Sequence, residues 1–70
     1  MPILICQEKK NKNRIVTAVE ILVPILWTNK KTGQTLELQK GQYLIKSGND
    51  AYPLSEKEFE DTYLIRKIVG

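Results

Sequence analysis

Histidine is absent from the sequence. That removes the commonest general base, the usual metal ligand and the usual activator of a nucleophile. Cysteine occurs once, at Cys6, which excludes an intramolecular disulfide and a cysteine-based zinc site. No long apolar run exists. The longest, Ile21-Leu22-Val23-Pro24-Ile25-Leu26-Trp27, is far short of the roughly 20 residues of a membrane span and carries a proline at its centre. The apolar stretch Pro2-Ile3-Leu4-Ile5-Cys6 follows no basic region, so it does not read as a secretory leader. Glycine-rich phosphate loops are missing too. These absences point to a reduced, cytoplasmic setting, with no membrane association and with no cofactor or metal expected.

What is present fits one small domain. The chain has 70 residues, 41% hydrophobic and 27% charged. A chain of this size buries only about 60% of its unfolded surface, so its core is thin. Such a scaffold suits a binding face better than a multi-part active site, and no enzymatic activity is expected.

The net charge is +3, but its distribution is uneven. Residues 1–46 hold eight basic residues against three acidic ones, while residues 47–70 hold three against five. The densest basic run is Lys9-Lys10-Asn11-Lys12-Asn13-Arg14, and Lys30-Lys31 forms a second basic loop. Such loops can steer a protein toward phosphates. They can equally be solvated turns between strands.

β-Branched residues dominate Ile15-Val16-Thr17-Ala18-Val19-Glu20-Ile21-Leu22, so this segment reads as a strand. Ile15, Thr17, Val19 and Ile21 share one face; Val16, Ala18, Glu20 and Leu22 share the other. Further strands are expected at Ile3–Cys6, Ile25–Thr28, Gln34–Gln39, Gln42–Lys46 and Thr62–Val69, with a short extended piece at Ala51–Leu54. Pro24 cannot donate to a central ladder and should mark a bend, bulge or edge. Gly33, Gly41 and Gly48 punctuate the turns. Ser55-Glu56-Lys57-Glu58 is a capping box that opens a helix of one or two turns, with Phe59 as the residue that plugs the core. Six or seven short strands and one short helix predict a mainly β fold. The expected architecture is a small antiparallel barrel or sandwich, SH3-like in size, whose closure would remove the strand edges.

Gly41, Tyr43-Leu44-Ile45-Lys46, Gly48, Tyr52-Pro53, Phe59 and Thr62-Tyr63 form a recurring pattern. It resembles small phage and prophage proteins of unknown function. These often carry a glycine-aspartate-tyrosine-isoleucine-isoleucine strand, then a glycine turn, tyrosine-proline and phenylalanine-x-x-threonine-tyrosine. The resemblance covers residues 36–65. Gln42 stands where the aspartate is usual, Lys40 where a proline is frequent, and the middle helix of those proteins is missing. The resemblance implies a hairpin–helix–strand unit and a phage or mobile-element origin, and it carries no activity.

Tyr43, Tyr52, Phe59 and Tyr63 can converge, either as core or as a partner surface. Glu56 and Glu60 can share a helix face, which reads as solvated rather than cation-binding. Three functions remain open. The leading one is a protein-binding or regulatory module. The second is a nucleic-acid binder using Lys9, Lys10, Lys12, Arg14, Lys30 and Lys31, with Trp27 for stacking; both basic loops would have to lie at one end. The third is a self-associating structural protein, with Ile21–Trp27 as the seam of a homodimer.

Overall fold

A computed structural model describes residues 2–69. The chain runs β1 (Ile3–Glu8), β2 (Ile15–Glu20), β3 (Ile25–Thr28), β4 (Thr35–Leu38), β5 (Tyr43–Ser47), β6 (Asp50–Leu54), α1 (Glu56–Thr62) and β7 (Tyr63–Val69). Five strands form one antiparallel sheet in the order β6-β5-β2-β1-β7, and β3 and β4 form a separate hairpin.

The fold is mainly β with one short helix, as the strand patterning requires, but the sheet does not close into a barrel. Closure fails because β6 and β7 do not pair with each other and the separate β3–β4 hairpin does not bridge them, so both remain edges among the described residues. The sheet nevertheless curls. α1 connects the two edge strands across the face of the sheet and touches both. Seven helical residues span about 10 Å, whereas five strands laid flat would put their edges about 19 Å apart. The sheet therefore wraps around the helix. Across the remaining gap, the hydroxyls of Tyr52 on β6 and Tyr63 on β7 share a hydrogen bond of 2.7 Å.

The core lies between the sheet and α1. Leu4, Cys6, Val16, Ala18 and Ile45 come from the inner face, with Phe59 from the helix and Tyr63 from β7. Cys6 on β1 and Ala18 on β2 are the smallest residues of this core. Their side chains are fully buried, which leaves no room for a larger group. Phe59 is the plug that the sequence predicts. Its ring stacks on Tyr43 with centroids 3.9 Å apart and planes 9° off parallel, and it meets Tyr63 at 5.9 Å. The capping box is formed in full: Ser55 Oγ accepts from the Glu58 amide, and Glu58 accepts from the Ser55 amide. The Ser55 amide donating to the carboxylate, and then the Ser55 side chain, hold the exposed Glu58 carboxyl below its usual range.

Two turns position the outer features. Gly48 has φ +61, which lets Gly48-Asn49 close β5 and β6 with a two-residue loop. That loop makes Ser47 and Asp50 a hydrogen-bonded pair, so Leu44 and Pro53 form a non-bonded one. Pro53 thus points its missing donor outward and blunts the β6 edge without costing a ladder bond. In the β3–β4 loop, Asn29 Oδ1 accepts from the amides of Lys31 and Thr32 while Gly33 takes φ +75. Ile21 and Leu38 are buried outside the main core, where the hairpin joins the sheet. The amide of Ile21 donates to Gln42 O and its carbonyl accepts from Gly41, which anchors that junction.

Candidate functional site

A concavity opens between the outer face of the sheet and the β3–β4 hairpin, with a volume of about 1190 Å³. Its floor is Ile3, Thr17, Val19 and Leu44, the outward residues of β1, β2 and β5. The hairpin supplies one wall through Trp27, Thr28 and the loop from Asn29 to Thr32. The β5–β6 turn from Ser47 to Ala51 supplies another.

Four cationic residues line this cleft: Arg14, Lys30, Lys31 and Lys46. Among the described residues Asp50 is the only carboxylate residue that lines it, and it pairs with Lys31 across the gap between hairpin and sheet. Arg14 is held from two sides. Its Nε lies 3.2 Å from Glu8, and Nη2 donates to Ser47 Oγ at 3.1 Å. That leaves Lys30 and Lys46 exposed and without a carboxylate partner among the described residues. Trp27 is half-buried in the wall.

The basic loops are thus split rather than joined. Arg14, Lys30, Lys31 and Trp27 come together. Lys9 instead turns toward the helix end, where its ammonium donates to Glu60 O and its amide to Thr62 O. Lys10 borders a separate hollow of about 260 Å³ with Glu8, Asp61 and Thr62. Lys12 is exposed in the β1–β2 turn, and neither hollow includes it. Lys46 was not among the expected contacts. The alternation of β5 already places it on the face of Leu44, opposite Tyr43 and Ile45, so its signal was strand parity.

The tyrosines go mainly inward. Tyr63 is buried, and Tyr43 and Tyr52 are half-buried against the core. Burial, then the hydrogen bond with Tyr52, pushes the Tyr63 phenol up to about 12. Burial also raises the Tyr43 phenol, with Glu20, Glu56 and Glu60 adding to the shift. Burial raises the Cys6 thiol as well, which disfavours the nucleophilic thiolate.

The dimer seam suggested by Ile21–Trp27 is divided. Ile21 is buried and Ile25 and Trp27 are half-buried, while Leu22, Val23 and Leu26 stand out at 44%, 61% and 73% exposure. A second apolar surface lies on β7, where Leu64, Ile65, Ile68 and Val69 are exposed.

Among the described residues no cluster of three or more metal-ligating side chains occurs, and no helix is long and apolar enough to cross a membrane. Comparison with protein-family models, with curated proteins and with solved structures finds no match.

Proposed function

We propose that this chain is a non-enzymatic protein-binding module of phage or mobile-element origin, and that it docks its partner on the open β7 edge. The carrying observation is the contrast between the two edges. Pro53 blunts β6, whereas β7 offers seven residues of edge backbone flanked by four exposed apolar side chains. Unpaired edge amides and carbonyls accept an added strand, and side-chain pockets beside them give specificity.

Charge selects the partner. The only charged residues of β7 are Arg66 and Lys67, and Arg66 lies at the register shift against β1. A two-fold pairing of β7 with its own copy over the full strand sets Arg66 opposite Arg66, which is destabilising. An extended segment that alternates apolar side chains with an Asp or Glu suits the edge better.

Selection from a library of extended peptides on purified protein tests this. Enriched peptides should carry acidic residues among apolar ones, and should lose binding to the variants Ile65→Asp and Ile68→Asp. Peptides that bind these variants as well as the parent would refute the assignment, as would failure to enrich any. A second reading, self-association through Leu22, Val23 and Leu26, is favoured by their exposure. Sedimentation of a strict monomer at high concentration would remove it.

A further inference from the structure

The cleft lies on the outer sheet face and hairpin, away from the core, and the edge-docking reading makes no use of it. We propose that it binds a short stretch of single-stranded nucleic acid, with Lys30, Lys46 and Arg14 on phosphates and Trp27 stacked on a base.

Three observations converge. First, the cationic residues reach the cleft from three separate elements, the approach to β2, the β3–β4 loop and β5. They belong to separate segments of the cleft lining rather than to one loop, which suits successive phosphates better than a single anion. Second, Glu8 and Asp50 pair with Arg14 and Lys31, and among the described residues Lys30 and Lys46 have no carboxylate partner and remain available to a ligand. Arg14 retains guanidinium donors beyond the two contacts described. Third, Trp27 is the one tryptophan of the chain, and it sits in the wall of this cleft. An aromatic ring beside cations is the arrangement that holds unstacked bases, and stacking contributes about 1–3 kcal/mol per base.

The shape selects the strand. The molecule measures 31 × 24 × 23 Å, and the cleft occupies part of one face between hairpin and sheet. A duplex is about as wide as that face, and its bases remain stacked within the helix. A single strand can lie in the cleft and turn a base toward Trp27. The neighbouring polar groups of Thr28, Asn29 and Asn49 line the same space and can meet base edges or sugars.

Fluorescence anisotropy with a labelled single strand of about a dozen nucleotides, as DNA and as RNA, gives the first readout. Three phosphate contacts predict a salt slope near −2, so affinity should fall about 20-fold between roughly 50 and 200 mM salt. Emission of Trp27 should be quenched in the same titration. The double variant Lys30→Glu/Lys46→Glu should lose at least about tenfold, and Trp27→Ala about tenfold. Lys9→Gln/Lys10→Gln should stay within about twofold, because those lysines lie off the cleft. Circular dichroism of each variant separates lost binding from lost fold.

Absence of binding at low salt would overturn the proposal. So would unchanged Trp27 emission at saturation, or equal loss in the Lys9/Lys10 variant, which would mean diffuse charge attraction. A duplex that binds as tightly as the strand, or a mononucleotide that does, would overturn the single-strand assignment. Ile68→Asp should leave all of these readouts unchanged, so failure here and failure of the edge-docking reading are separately visible.

Discussion

Replacing Phe59 with alanine should come close to unfolding the protein. Phe59 is 2% exposed and is the only buried residue of α1. A seven-residue helix is far below the length that is stable alone, so its tertiary anchor holds it in place. That anchor is one ring, stacked on Tyr43 and tilted against Tyr63. Truncating a buried phenylalanine costs about 3–5 kcal/mol, including the cavity left behind. A domain of 70 residues has a total stability of roughly 4–10 kcal/mol. The loss is therefore comparable with the whole. Because α1 ties the sheet's two edges, the variant should also release the curl and break the Tyr52–Tyr63 contact. Urea unfolding followed by far-ultraviolet circular dichroism measures the effect, with Phe59→Leu as the milder companion expected to lose about 1–2 kcal/mol. A Phe59→Ala protein that loses less than about 1 kcal/mol would refute the view that one ring carries the helix.

The Tyr63 phenol has its folded pKa raised from 10.0 to about 12, so the fold favours the neutral form. The associated stability is complete below pH 10 and fades as the pH climbs toward 12. Tyr63→Phe should flatten that alkaline decline in a pH series of urea midpoints; an identical decline would assign it to another group. Cys6 should stay unreactive toward a disulfide reagent until the protein unfolds, since its thiol is fully buried and its pKa raised; rapid labelling of folded protein would contradict the packing. Pro53→Val should restore a free donor to the β6 edge and promote self-association in sedimentation. Unchanged sedimentation would show that Pro53 is not what guards that edge.

Much of the local structure can be read from single residues. Ser55 and Glu58 announce the helix, and the glycines at 33 and 48 sit where their hairpins need a positive φ. The convergence of Tyr43, Tyr52, Phe59 and Tyr63 is legible because three of them carry the only large rings in the chain's last third. Pairing is different. Nothing in β1 or β7 reveals that they lie side by side, because apolar alternation fixes which face is buried and leaves the neighbour unspecified. The barrel expectation fails for that reason: β6 and β7 have strand patterning, but they do not pair with each other, and β3 and β4 pair apart from the sheet. The basic run from Lys9 to Arg14 looks like one patch. The β1–β2 turn divides it, sending Lys9 toward the helix and Arg14 toward Ser47. The sheet's outer face is hard to assign from sequence because Ile3, Ile15 and Val19 look like core residues. Ile3 and Ile15 stay exposed, and Val19 lies on the floor of the cleft.

Ile3 pairs with Val69 in the final ladder, a contact between residues that are nearly a whole chain apart. Closing so long a loop forfeits entropy before any pairing returns it. Assembly should therefore begin with what is close by: the β5–β6 hairpin and the helix that follows it, which together bring Tyr43 onto Phe59. The outermost strand should zip on last, and folding measured by stopped flow should take milliseconds to seconds rather than microseconds. During that interval β1 is itself a bare margin, so the strand that later shields it also decides how long the nascent molecule remains sticky.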